Sequence, residues 1–273
     1  MRLFRRRRPR WTVLTSAPAG PAGEQWGDTW FARDLVASLQ ALGQDARVAS
    51  RKGAHSLDRE EDDVVLVLRG LAEVRPRRIN ESTTWLLWVI SHPELVTEPE
   101  AMAYDGVFAA SRHWEPGFIA PVPLLQATNP ARFTPGAGAP DSGDRVLFVG
   151  STRGVFRPIV RDAIDAGIDL SLYGVGWQEF VAPERIGGEF LANASLPAAY
   201  ARAQVVLNDH HPQMAELGFL SNRLFDATAT GTRVISDPAR GLDEVFGGHV
   251  RTYDGAAELA ALVREHDTAF PPY

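Results

Sequence analysis

The stretch richest in chemistry follows an apolar run at Gln204–Leu207. It reads Asn208-Asp209-His210-His211-Pro212, then Glu216, then Ser221-Asn222-Arg223, with Asp226 one helical turn beyond Asn222. Ser221 can cap a helix that starts at Asn222. Arg223 then stands in the first turn, where a cation opposes the helix dipole unless an anion lies nearby. Asp226 falls on the same side as Asn222. His210 and His211 are adjacent and point apart on most backbones, so a metal pair is not expected. The chain also has no His-Glu-x-x-His and no Asp-x-Asp. As plain structure, the same residues read as an irregular polar loop.

Two further segments suit an anion. After Arg145–Val149 comes Gly150-Ser151-Thr152-Arg153-Gly154, then a helix that contains Arg157. The glycines let a ligand approach the backbone, the helix start offers N–H groups, and Arg153 or Arg157 can grip phosphate with two prongs. The alternative is an ordinary strand-to-helix turn with surface arginines. It is not a Gly-x-Gly-x-x-Gly fingerprint, so a dinucleotide site gains little support. After Asp169–Tyr173 comes Gly174-Val175-Gly176-Trp177, a tight turn whose tryptophan is expected in the core. In the first half, His92 ends the run Thr84–Ile90, where it is either an active-site group or a structural histidine. Gly27 leaves room for a ligand at the backbone, and Asp28 reads as the cap of the helix that follows it.

These residues need a scaffold, and the apolar pattern supplies one. Short, continuous apolar runs at 11–15, 46–49, 64–68, 84–90, 106–110 and 121–125 predict strands in the first half. Runs at 145–149, 169–173, 187–190, 204–207, 233–236 and 250–253 do so in the second. A helix after Asp28 carries Phe31, Leu35, Leu39 and Leu42 on one face and stops at Gly43. Others are expected at 156–166, 196–203, 222–230 and 255–265, the last capped by Asp254. Continuous rather than alternating apolar strands suit parallel sheets covered on both faces by helices. The order reads as two doubly wound α/β units. The Pro- and Gly-rich stretch 135–143 separates them, which gives a basic tail at 1–10, a first domain at 11–137 and a second at 138–273.

Composition narrows the chemistry. There are 0 cysteines among 273 residues, which excludes disulfides, thiolate metal sites and cysteine nucleophiles. Lys52 is the only lysine and falls in a polar loop, which argues against a P-loop or a Schiff base. A net charge of -6 does not suit a nucleic-acid binder. No apolar run is long enough to span a bilayer. The arginines at 2, 5, 6, 7, 8 and 10 read as a solvated tail, or as a weak peripheral contact with an anionic membrane surface. No apolar signal segment follows them, so a cytoplasmic protein is expected.

At this level of detail the chain resembles the GT-B glycosyltransferases, in particular the group 1 (family 4-like) enzymes and their CgeB-like branch. The segment Pro123–Pro135, with its Asn129…Phe133-Thr134-Pro135, is similar to that family's interdomain segment. Val146-Leu147-Phe148-Val149-Gly150 with Arg153-Gly154 is similar to the start of its donor-binding domain. Glu216-Leu217-Gly218-Phe219 followed by Phe225-Asp226-Ala227 resembles its Glu…Glu donor motif. The resemblance implies two Rossmann-like domains facing a cleft, the second binding a nucleotide-diphosphate sugar. It implies that Glu216 binds the donor sugar, with Gly218 and Phe219 beside it, and that Asp226 accepts from the ribose. Arg153, Arg157 or Arg223, with the backbone at Ser221 and Asn222, would hold the diphosphate. Ile186 lies in the stretch that would edge the base, and His92 would sit at the reacting centre.

Physically, a nucleoside diphosphate leaving group gains negative charge as the glycosidic bond breaks. Fixed arginines and helix amides can stabilise that charge without a metal or other cofactor. The reaction implied is sugar transfer to an acceptor, with retention at the anomeric carbon. Nine residues stand between Glu216 and Asp226, more than the family's spacing. That motivates a second reading, a non-catalytic nucleotide-sugar-binding protein on the same fold. An epimerase lacks enough acid–base candidates, and a Rossmann oxidoreductase lacks the glycine fingerprint.

Overall fold

The computed structural model describes residues 8–51, 62–136 and 146–265. The chain forms two compact units, Met1–Leu125 and Gln126–Tyr273. The first contains β1 (Arg10–Thr15), α1 (Gly27–Ala41), β2 (Asp45–Ala49), β3 (Val64–Arg69), β4 (Thr84–Val89), α2 (Glu98–Met102), β5 (Gly106–Ala109) and β6 (Val122–Pro123). Its sheet runs β2-β1-β3-β4-β5-β6, with every pairing parallel. The continuous apolar runs explain this. Val65, Val67 and Leu68 are all buried, so consecutive residues of β3 point into packed layers on both sides of the sheet.

The helix after β1 begins earlier than its sequence suggests. Its N-cap is Trp26, and Asp28 lies inside the first turn. Leu42 is the C-cap and is exposed rather than part of the apolar face. Thr29, Ala32 and Val36 form the fully buried stripe, with Phe31, Leu35 and Leu39 packed at its edge. One guanidinium organises the far end of the sheet. Arg69 donates to Glu100 through Nε (2.8 Å) and Nη2 (3.2 Å), to the Leu95 carbonyl (3.1 Å) and to the Gly70 carbonyl. Both charged side chains of that pair are buried.

The second unit contains β7 (Val146–Val149), α3 (Pro158–Asp165), β8 (Leu170–Tyr173), β9 (Ile186–Gly188), α4 (Leu196–Arg202), β10 (Val205–Asn208), α5 (Pro212–Glu216), α6 (Asn222–Ala229), β11 (Arg233–Ser236), α7 (Leu242–Phe246), β12 (Val250–Thr252) and α8 (Gly255–Arg264). Its parallel sheet runs β12-β11-β10-β7-β8-β9. That is the doubly wound dinucleotide-fold order, with its reversal between β7 and β10. One core packs around Phe148, Ile159, Leu172 and Trp177; a second packs around Leu147, Tyr200, Val206 and Leu224.

Residues 126–136 belong to the second unit, not to the first domain that the sequence reading ends at 137. Phe133 is buried in the second core and stacks on Tyr200 at 6.2 Å, while Arg132 donates to the Asn193 carbonyl at 3.2 Å. The boundary at 137/138 lies outside the described residues, as do Lys52 and the arginines at 2, 5, 6 and 7. Among the described residues no helix is long and apolar enough to cross a membrane.

Candidate functional site

In the second unit the loops after β7, β8 and β10 converge at the sheet's reversal. Gly150 donates its N–H to Tyr173 (2.7 Å). Gly174 lies so close that a Cβ on it would sit 2.3 Å from the Gly150 carbonyl oxygen, and its φ of 145° suits glycine. A Cβ on Gly176 would meet Thr152 Oγ1 at 2.4 Å. Trp177 is fully buried, donates Nε1–H to the Gly150 carbonyl (2.8 Å) and meets Phe148 edge-on, so it packs the core as its sequence suggests. Ile186, at the start of β9, is half-buried and packs against that core.

Three arginines share this corner, in three different states. Arg157, the N-cap of α3, is buried in an ion pair with Asp209: Nε donates at 2.6 Å and Nη2 donates to the other oxygen. A third bond goes from Nη1 to the Ser151 carbonyl (3.0 Å). Arg157 is therefore a clamp between the β7 and β10 loops, not an open phosphate ligand. Arg223 lies over the Phe148 ring at 4.8 Å and donates to Asn208 Oδ1 (2.9 Å) and to the Val149 carbonyl (2.5 Å). Burial pushes its pKa down, with nearby Tyr200 and Asp209 acting against that shift. A Cβ on Gly150 would come within 2.9 Å of Arg223 Nη2, so a glycine there makes room for the guanidinium.

Arg153 is the open one. Among the described residues nothing hydrogen-bonds its side chain. Its pKa is pushed down to about 10, first by desolvation and then by repulsion from Arg157 and Arg223, with Asp209 opposing. Its backbone is left-handed at φ 59°. Among the described residues only His92 and Arg153 are non-glycine residues with positive φ, and such strain gathers where function holds it in place. Repulsion from Arg157 and Arg223 makes the Arg153 cation cost the ligand-free fold some stability at neutral pH, a cost that its exposure to solvent keeps small. Arg153→Asn, which keeps left-handed tolerance and removes the charge, is expected to raise the melting temperature of the ligand-free protein by about 1–4 °C. A fall in melting temperature would mean that the arginine supports the fold.

Helix α6 begins at Asn222 as its sequence predicts, with Ser221 in the N-cap position, but the Ser221 side chain makes no capping hydrogen bond. Its start is anchored from below. His210 is buried, pairs through Nδ1 with Asp237 (2.7 Å), and accepts the Ser221 N–H at Nε2 (3.0 Å). That geometry places the imidazole proton on Nδ1. His211 serves as the N-cap of α5. The amides of Asn222 and Arg223 lie in the first turn, where a helix has no internal acceptors. Asp226 is taken up elsewhere: Thr128 donates to one oxygen (2.7 Å) and Asn222 Nδ2 to the other (3.0 Å). It ties the segment after Gln126 to α6. Glu216 ends α5 as an exposed carboxylate with no partner among the described residues. Gly218 takes a left-handed turn (φ 72°), and the Phe219 side chain is fully buried, leaving only its backbone available to a ligand.

In the first unit, His92 follows β4 with φ 52° and pairs through Nδ1 with Glu94 (3.1 Å). Gly27 opens α1 and is exposed, and a Cβ there would touch nothing. Sequence reasoning missed Asp209 as the Arg157 clamp, the His210–Asp237 anchor and Asn208 as an Arg223 acceptor. It also took Asp28 for a mere cap. Burial raises the Asp28 pKa, and the His92 charge partly offsets this. Among the described residues no three His, Cys, Asp or Glu side chains gather in a way that could hold a metal ion.

Residues 152–269 match the model of a family described as glycosyl transferase-like. Comparison with curated proteins gives no match. Among solved structures, the chain is similar to AviGT4, a glycosyltransferase involved in avilamycin A biosynthesis. The two are 17% identical with a TM-score of 0.62, over 97% of this chain and 90% of that one. It is also similar to an alpha-glucosyltransferase in complex with UDP and a 13-mer DNA containing a central A:G mismatch. There the identity is 10% and the TM-score 0.61, over 88% of this chain and 81% of that one. The fold is thus that of the GT-B glycosyltransferases, with two six-stranded parallel sheets and flanking helices.

Proposed function

We propose that this protein is a glycosyltransferase of the group 1 type, CgeB-like branch, which moves a sugar from a nucleotide-diphosphate donor to an acceptor hydroxyl without a metal. One observation carries the reading. At the reversal of the second sheet, Arg153, Arg157 and Arg223 act on one another, and the one carboxylate among the charges acting on Arg153 is Asp209, already bonded to Arg157. Among the described residues Arg223 is bonded to neutral oxygens, and Asp209 is shared by all three arginines, so two positive charges at this corner are left over. A diphosphate supplies the matching charge. It would take Arg153 and the outer face of Arg223, with the first-turn amides of α6 beside them. As the bond from sugar to phosphate breaks, these fixed donors stabilise the charge that develops, and they need no reorganisation to do so. Retention at the anomeric carbon, which the family resemblance implies, is read from the anomeric coupling of the product.

Glu216, an exposed carboxylate at the end of α5 with no partner among the described residues, is assigned to the hydroxyls of the donor sugar. Glu216→Ala is expected to lower transfer at least 100-fold, with UDP or GDP affinity within about two-fold of the parent. An unchanged rate removes Glu216 from the site. A melting-temperature screen with UDP, GDP and their glucose and mannose conjugates tests the reading as a whole, because a ligand that binds only the native state raises its stability. Binding without any release of nucleotide from the conjugates would favour the non-catalytic alternative.

A further inference from the structure

A circuit of hydrogen bonds lies behind the first turn of α6, and both of its arms end on one carboxylate. Asn208 and Ser236 stand opposite each other at the carboxyl ends of β10 and β11, and both are fully buried. Asp237 directly follows β11. One arm runs through His210. The Ser221 N–H donates to His210 Nε2 (3.0 Å), and His210 Nδ1–H donates to Asp237 Oδ1 (2.7 Å). The other arm runs across the two strands. Arg223 Nη1 donates to Asn208 Oδ1 (2.9 Å), Asn208 Nδ2 donates to Ser236 Oγ (2.9 Å), and the Ser236 hydroxyl donates to Asp237 Oδ1 (3.0 Å). The backbone N–H of His210 donates to the second carboxylate oxygen (2.9 Å).

The direction of each bond follows from Asp237. An ionised carboxylate only accepts, so the Ser236 hydroxyl and His210 Nδ1 both donate to it. Ser236 then accepts from the Asn208 amide nitrogen, which turns the amide oxygen toward Arg223. With its proton on Nδ1, His210 offers Nε2 to the Ser221 N–H. One negative group thus orients a histidine and an asparagine, and through them the backbone and the guanidinium of a single helix turn. A buried network whose donors all find acceptors is stiff.

The carboxylate also stands at a useful remove. Arg157 takes Asp209 directly and is closed by it. Among the described residues Arg223 is bonded to neutral oxygens, and Asn208 and Ser236 separate it from Asp237. A carboxylate in direct contact would cancel the guanidinium charge and fill its prongs. Behind two neutral side chains, it orients the guanidinium and leaves it able to take an anion.

We propose that Asp237 is a positioning residue for the donor's diphosphate. Acting through His210 and through the Ser236–Asn208 pair, it fixes the first-turn amides of α6 and the Arg223 fork in the arrangement that the diphosphate needs; this rests on the diphosphate reading above.

The test compares the full-length parent with Asp237→Asn and Ser236→Ala. Calorimetry measures the binding of UDP, GDP, uridine and guanosine, and nitrogen-15 NMR locates the His210 ring proton. An amide at position 237 has one oxygen where the carboxylate has two. Its NH₂ therefore faces either the His210 N–H or the donors of the two arms. Asp237→Asn is expected to weaken UDP and GDP by about 10- to 100-fold, the size seen when the partner that orients a ligating side chain is lost. Uridine and guanosine should stay within about two-fold, because neither carries the group that is gripped. Ser236→Ala cuts only the arm to Arg223. It should weaken the two diphosphates by about 3- to 10-fold, the equivalent of one neutral hydrogen bond, and leave the His210 proton on Nδ1 as in the parent. Diphosphate affinities within about three-fold of the parent in Asp237→Asn, equal losses for nucleotide and nucleoside, or a parent His210 that carries its proton on Nε2 in alkaline buffer overturn this inference alone. Should circular dichroism show that Asp237→Asn does not fold, Ser236→Ala decides, and diphosphate affinities within about two-fold of the parent overturn the inference. A parent that binds neither UDP nor GDP overturns the diphosphate reading and this inference with it.

Discussion

Arg223→Ala is expected to weaken the binding of UDP and GDP by about 10- to 150-fold while changing the binding of uridine and guanosine by less than about two-fold. The range corresponds to the loss of one charge-assisted hydrogen bond, about 1.5–3 kcal/mol. Arg223 lies over Phe148 and is braced by Asn208 and the Val149 carbonyl, so its fork is held in place before any ligand arrives. Arg223→Lys keeps the charge but loses the planar fork, and should recover only part of the affinity. Calorimetry with the four ligands distinguishes the roles. Equal losses for nucleotide and nucleoside would mean that Arg223 shapes the pocket and does not grip phosphate.

Asp209→Ala is expected to destabilise the second unit by about 3–5 kcal/mol, because it leaves the Arg157 cation buried and unpaired. For a unit of this size that lowers the melting temperature by roughly 6–20 °C. The two side chains of the pair are each only 4% exposed, so water cannot replace the lost partner without opening the loops after β7 and β10. The double change Arg157→Met with Asp209→Leu should recover much of the loss, since apolar side chains of similar volume can replace a buried pair. Denaturant unfolding of the single and double variants measures the coupling. A single variant within about 1 kcal/mol of the parent would show that the pair is solvated in solution. Because Arg157 and Asp209 both act on the Arg153 charge, the double variant should bind nucleoside diphosphates differently even where its stability is restored.

Much of the scaffold is legible from local pattern. Each run of apolar residues overlaps a parallel strand, and the central ones are continuous because a strand covered on both faces cannot alternate polar and apolar residues; the edge strands β6 and β9 hold no buried residue, and β9 falls at 186–188 rather than 187–190. The first strand of the second unit illustrates this: Val146, Leu147 and Phe148 are all buried, on successive faces. The start of α6 after Ser221 was readable from its local residues too, although the serine side chain makes no capping hydrogen bond. The short helices α2, α5 and α7 left no trace, because each is five residues long and carries too little periodic signal.

The residue types proposed for the chemistry were therefore visible in the sequence: arginines at the ends of strands, an exposed carboxylate at Glu216, and a histidine after β4. Their division of labour was not. That Arg157 is a clamp while Arg153 stays open depends on Asp209, 52 residues away. That Asp226 braces the segment at Thr128 depends on a partner 98 residues away. That Asp28 lies against the backbone at the end of β3 depends on the lack of a side chain at Gly70. Strand and helix preferences act between near neighbours, so the chain alone determined them. Ion pairing and desolvation act through space between residues that only the folded sheets bring together, so they were decided by the tertiary structure.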